Sequence, residues 1–312
     1  MTTRQSVDQS AIGIMVIFCM IMASQQVVLK AVADDIAPVF QIALRSGIAG
    51  ILLIALILLQ RQKLPLSQEN RLPAMLIGIL FSLEYLFLGE ALQYTSAGHA
   101  TVFLYTSPIF AAIGLHWKVP GERMAPLQWL GIMLAFSGVV LSFYSGDTKT
   151  DNPEAILWGD FLALLAGASW GATTIVVRAS GLGALPARQT LLYQLLGAFI
   201  ILTAWALLTE QTQINFTPEL WTSLAFHGIG VSFLCFLVWF WLLTRYKASQ
   251  LGTLSFLTPV FGVLFGSWLL GESIDPRFII GSALIIGGVL LVSSYDGLVR
   301  WQLRRKALNC RS

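Results

Sequence analysis

Apolar residues gather into ten long runs, at about 11–30, 38–60, 72–92, 98–117, 125–144, 157–178, 186–208, 219–243, 250–270 and 276–295. A hydrocarbon core about 30 Å thick takes roughly 20 such residues per helix, whereas a barrel strand takes only about 10 that alternate. The runs therefore predict an all-α membrane protein with ten transmembrane helices. Polar stretches rich in turn formers separate them, among them "LPLSQEN", "GDTKTDNPE" and "TEQTQINFTPE".

Composition agrees with the pattern. Of 312 residues, 56% are hydrophobic and 11% charged, with a mean hydropathy of +0.75; a soluble domain carries about twice that charge fraction. The net charge of +3 and the lack of a large basic block give no footing for nucleic acid. Membrane lipids are the expected macroscopic partner, with the basic tail "RWQLRRKALNCRS" read as a contact for anionic headgroups. Cys19 and Cys235 fall in apolar runs and Cys310 in the tail, so free thiols are expected, with no disulfide framework, metal spacing or cofactor. The polar N-terminus leads into a run read as the first retained span, a signal peptide being the alternative.

Orientation follows from the cations. With both termini cytoplasmic, fifteen of the 19 Lys and Arg fall in inside loops, while Lys30, Lys149 and Arg277 fall outside and Arg45 lies within a span. That asymmetry satisfies the positive-inside rule for a multi-pass protein; a bacterial inner membrane is the expected location.

The two halves repeat each other weakly but in order. Pro38 to Gln41 matches Pro186 to Gln189; Pro108, Phe110 and Trp117 recur as Pro259, Phe261 and Trp268; Gly121-Glu122 recurs as Gly271-Glu272; Pro126, Gly131 and Gly138 recur as Pro276, Gly281 and Gly288. Residues 1–146 and 156–296 are thus read as two five-helix repeats, followed by a cytoplasmic tail, 297–312. An odd number of spans per half makes the halves insert in opposite senses, an inverted repeat with the cargo site expected between them.

Through these units, and through the "SW-G-x6-R" of Ser169 to Arg178, nearly the whole chain resembles the EamA-type transporters of the drug/metabolite transporter superfamily. The resemblance implies two five-helix bundles around a central cavity that opens alternately to each side, with small metabolites as cargo, often exported. One departure is "LHWKVPGE" in the first copy, where His116 and Lys118 make a normally apolar helix end polar.

Polar residues inside the spans are the candidates for cargo contact. A carboxylate near the middle of a span costs a few kcal/mol even on insertion scales. Glu84, within "GILFSLEYLFLGE", is therefore expected to face a wet cavity and is the candidate for proton coupling; a buried acid that orients helices is the alternative. Gln25 and Gln26 in the first run stand opposite Thr173 and Thr174 in the sixth, amides and hydroxyls that suit zwitterionic cargo and equally bridge helices. Trp170, Trp239 and Tyr105 lie deep enough to form an aromatic lining. His227 is a candidate for sharing a proton or meeting anionic cargo, against the simpler reading of a ring bonded to a carbonyl. Arg45 is read as pairing with acids or carbonyls. Pro108 and Pro259, at matching depth, are candidate hinges. Gly167 with Gly171, and Gly262 with Gly266, are spaced to permit close helix crossing.

No HExxH, G-x-S-x-G or P-loop pattern occurs. The reading is a monomeric secondary transporter, not an enzyme, that exports a small metabolite such as an amino acid. A proton-coupled efflux carrier for cationic drugs is the alternative in the same frame, and a membrane-embedded enzyme or lipid-binding scaffold the alternative of another class.

Overall fold

The computed structural model describes residues 5–61, 68–91, 93–95, 97–143, 153–270 and 276–309. They are almost entirely helical. In chain order the α-helices are α1 (Gln9–Ala31), α2 (Pro38–Leu59), α3 (Gln68–Ala91), α4 (Ala97–Leu104), α5 (Ser107–Lys118), α6 (Pro126–Phe143), α7 (Pro153–Ala179), α8 (Ala187–Leu208), α9 (Pro218–Ala225), α10 (Phe236–Arg245), α11 (Ala248–Leu254), α12 (Leu257–Leu270) and α13 (Pro276–Asn309). Among the described residues six helical stretches are long and apolar enough to cross a membrane: Pro38–Leu59, Gln68–Ala91, Ala100–Lys118, Glu154–Ala179, Ala187–Leu208 and Pro218–Arg245. Three shorter apolar stretches, Gln9–Gln25, Pro126–Ser142 and Ile279–Val292, coincide with the first, fifth and tenth predicted runs.

Burial is distributed as lipid demands. Ile51, Leu58, Ile200 and Leu208 point outward, while Gln25, Gln41, Arg45, Glu84, Gln194 and His227 are buried. In a bilayer the outer surface must be apolar, and polar side chains survive inside the bundle. Trp117 and Trp268, equivalent positions of the repeat, are 77% and 80% exposed near the ends of α5 and α12, as side chains of an aromatic belt are.

Four departures from the expected helices bear on the site. The run 98–117 breaks at Tyr105–Thr106, between α4 and α5, and the run 250–270 breaks at Ser255–Phe256, between α11 and α12. Each break lies just ahead of a proline, Pro108 or Pro259, which has no N–H to give to the carbonyl four residues back. At the second break side chains take up slack: the Ser255 hydroxyl donates to the Gly252 carbonyl at 2.6 Å, and the Cys19 thiol of α1 donates to the Leu254 carbonyl at 3.6 Å. The run 219–243 is also not uniform, since Phe226–Cys235 is π-helical between α9 and α10. Finally, α13 runs on through the basic stretch as far as Asn309; "WQLRRKALN" contains no proline or glycine to stop a helix and is rich in good helix formers.

Glycines set the closest approaches. A Cβ on Gly131 would fall 2.9 Å from the Gly288 carbonyl oxygen, and one on Gly138 would fall 2.5 Å from that of Gly281, so α6 and α13 touch backbone to backbone. Gly167 and Gly171 of α7 lie equally close to the α4–α5 break: a Cβ on either would meet Phe103, Thr106 or Phe110 at 2.7 Å. The second predicted small-residue pair does not do this at Gly262, where a Cβ would meet nothing within 4 Å.

Candidate functional site

The two broken helices and α1, α3, α7, α8 and α10 surround a cavity in the middle of the bundle. It holds about 890 Å³ of atom-free space, part of it open to the outside. Seven of the residues singled out by sequence line it: Gln25, Glu84, Tyr105, Trp170, Thr173, Thr174 and Trp239. The breaks themselves contribute Leu104 and Tyr105 on one side and Ser255 and Thr258 on the other.

Most of the wall is aromatic. Phe18 stacks on Trp239 with ring centres 5.4 Å apart; Phe81 meets Tyr85 edge-on at 5.1 Å and Phe236 at 5.8 Å; Tyr105 meets Trp170 edge-on at 5.9 Å. Such offset and edge contacts hold the rings in place and leave their faces to an apolar ligand.

The polar groups differ in how far they are occupied. The Thr173 hydroxyl donates to the Ser169 carbonyl at 2.9 Å and that of Thr174 to the Trp170 carbonyl at 3.4 Å, so only their oxygen lone pairs remain for a ligand. Glu84, 8% exposed, has no hydrogen-bond or ion-pair partner among the described residues. Gln194 of α8, which the sequence reading passed over, lines the cavity with its Nε2 donor unpartnered. An amide in the middle of an apolar run was the available signal, the same one that marks Gln25. The aromatic residues Phe18, Phe81, Tyr85, Phe236 and Phe240 were missed because rings in a span look alike whether they face lipid or cargo.

His227 stands outside the cavity. Its ring is fully buried in the π-helical segment, with Nδ1 2.8 Å from the Ser223 carbonyl oxygen and Nε2 3.1 Å from that of Gln25. The Ser223 hydroxyl, which accepts from Gln41 Nε2 at 2.7 Å, lies 3.2 Å from Nδ1. The ring therefore bridges α1 to the π segment, and its two nitrogens are turned to backbone carbonyls and not to Glu84. The Gln26 side chain lies outside the described residues. Pro108 and Pro259 sit behind the wall, each within the first turn of the helix that resumes after the break.

Of the two kinds of partner expected for Arg45, an acid or a carbonyl, it has the second: Nη1 donates to the amide oxygen Oε1 of Gln25 at 2.9 Å, and the guanidinium lies 4.9 Å from the centre of the Tyr85 ring.

A buried cluster lies beside the cavity, next to Val177 and Leu243 of its wall. The Glu122 carboxylate, from the first Gly-Glu unit, is paired with Arg178 at the end of α7. It also accepts from the backbone N–H groups of Ala248 and Ser249 at 3.1 and 3.4 Å and from the Ser249 hydroxyl at 3.2 Å. Arg178 in turn donates to the Leu243 carbonyl at 3.1 Å. The acid thus caps the N-terminus of α11 and ties it to α7 and to the α5–α6 connection. Next to it the N-terminal segment pairs with the α10–α11 link: the Gln5 N–H donates to the Arg245 carbonyl at 3.0 Å, and the Lys247 N–H to the Gln5 carbonyl at 3.1 Å.

Similarity to known proteins agrees with this architecture. The chain is 26% identical over 266 residues to an uncharacterized transporter, YoaV, of Bacillus subtilis strain 168, covering 85% of this chain and 90% of that one. It is 25% identical over 281 residues to an uncharacterized inner membrane transporter, YedA, of Escherichia coli K12, covering 88% and 87%. A solved crystal structure shares the fold with a TM-score of 0.77 at 20% identity, over 91% of this chain and 96% of the other. The EamA-like transporter profile matches twice in succession, over residues 9–144 and 157–294. With both halves so matched, the chain belongs to the EamA-like transporter family and is a membrane transporter of small solutes.

Proposed function

We propose that this protein is a secondary carrier that exports a small metabolite such as an amino acid across a bacterial inner membrane, by alternating access of two inverted five-helix halves, 1–146 and 156–296, with both termini cytoplasmic. The observation that carries this reading is the central cavity, walled by aromatic rings and reached by the unpartnered carboxyl of Glu84. Two further features support it. The crossed contacts of Gly131 with Gly288 and Gly138 with Gly281 are what a two-fold axis between α6 and α13 would produce, since Gly131 and Gly138 are the repeat partners of Gly281 and Gly288. The helix breaks at matched depth supply bending points for Pro108 and Pro259 to serve as hinges. Counterflow by purified protein in liposomes tests the reading: a panel of radiolabelled amino acids, sugars and organic cations should include a solute exchanged against itself, and no exchange of any member contradicts it.

The partnerless Glu84 also favours a second reading, proton-coupled efflux of cationic drugs with Glu84 as the site that cargo and proton share. Here Glu84→Gln should abolish the dependence of efflux on a pH gradient; a pH dependence identical to that of the parent protein removes the coupling claim.

A further inference from the structure

Arg45 is buried to 2% exposure in α2, and a guanidinium carries five N–H donors in a fixed plane. Nη1 donates to the Gln25 amide oxygen and the Tyr85 hydroxyl is a further polar neighbour of the guanidinium, but neither Nε nor Nη2 makes a hydrogen bond of good geometry. Those two nitrogens lie on the same edge of the group, and their parallel N–H bonds match the two oxygens of a carboxylate. A charge held inside a membrane bundle with that edge unused is costly to keep and marks a place where a ligand supplies the missing acceptors.

Position and charge narrow the ligand. Gln25, to which Arg45 donates, and Tyr85, over whose ring it lies, both line the cavity, so the guanidinium stands immediately behind its wall. Glu84, the neighbour of Tyr85, is close enough to attract Arg45 and yet forms no ion pair with it. No cation lines the cavity among the described residues, so a single positive charge suits a monoanion better than a phosphate dianion. We infer that the open Nε–Nη2 edge of Arg45 is the docking point for a carboxylate on the cargo, held there with Gln25 as its positioning neighbour. This rests on the carrier reading above and adds the substrate class: small organic carboxylates with an apolar or aromatic body.

The test uses full-length protein in detergent and a panel of amino, hydroxy, 2-oxo and arylacetic acids, each beside its own carboxamide. Thermal-shift titration should find at least one acid that stabilises the protein while its carboxamide does not. Arg45→Gln should erase that preference. Arg45→Lys, which keeps the charge but loses the fork, should weaken the acid by about tenfold or more and guards against an unfolded glutamine variant. Stabilisation by carboxamides as strong as by acids, a preference that survives in Arg45→Gln, or no acid that binds, overturns the assignment. Counterflow on the same panel separates the two claims: acids that bind without being exchanged sink the carrier reading and leave the site, whereas exchange of cations or neutral solutes alone sinks the site and leaves the carrier.

Discussion

Replacing Glu122 by Gln removes the negative charge at the centre of the buried cluster while keeping its size. Arg178 then loses the carboxylate with which it is paired, and the new amide nitrogen faces one of the donors that the carboxylate had accepted: Arg178, the N–H groups of Ala248 and Ser249, or the Ser249 hydroxyl. Breaking a buried pair by removing one partner costs about 3–5 kcal/mol. On the carrier reading proposed above, that loss falls on the closed arrangement, in which α7, α11 and the α5–α6 connection share the acid. About 3 kcal/mol shifts the balance between closed and open ends by on the order of 100-fold. Val177, one residue before Arg178, lines the cavity and is buried, so a cysteine there reports opening. In a background without the native cysteines, Val177→Cys should react with a water-soluble maleimide at least about tenfold faster once Glu122→Gln is added, by the same shift. A rate unchanged by Glu122→Gln, in protein with an unaltered helical circular dichroism spectrum, would refute the reading that this cluster closes the cavity.

Other consequences are simpler to read. Gly138→Ala should lower the melting temperature through overpacking of about 1–3 kcal/mol against Gly281 and Ile285, whereas Gly262→Ala, with open space around it, should not. Trp239→Ala removes the ring stacked on Phe18 and should raise the half-saturating cargo concentration in counterflow by about tenfold, with the protein still folded. Pro108→Ala combined with Pro259→Ala allows both broken helices to close their hydrogen-bond ladders; exchange should slow at an unchanged melting temperature or a higher one, and full-speed exchange removes the hinge role.

The helices were legible in the sequence because a bilayer imposes one length and one polarity on every span. What lies within them was less so. Pro108 and Pro259 announce that something interrupts their runs, but the break falls two to four residues earlier, at the carbonyls that a proline leaves without a donor. The π-helical turn around His227 has no local signature in "FHGIGVSFLC"; it follows from contacts with α1 and α2 that span more than 180 positions. Depth in a span singles out Glu84, Gln25 and the threonines, and all of them line the cavity, since polar groups within a span are kept from lipid. The same rule left Arg45 ambiguous, because whether a buried cation has found an acid depends on side-chain geometry. Glu122 was visible as half of a repeated Gly-Glu unit, and Arg178 as the end of the "SW-G-x6-R" stretch, but their union depends on how the halves dock.

Alternation between two arrangements around the cavity is the claim on which the rest stands, and it is accessible to distance measurement. Spin labels at Arg123 and Arg245, both exposed and flanking the Glu122 cluster on elements of opposite halves, should give two distance populations in lipid nanodiscs, with the longer one enriched by Glu122→Gln. A single distance, unmoved by that substitution and by every solute that the protein binds, would contradict it.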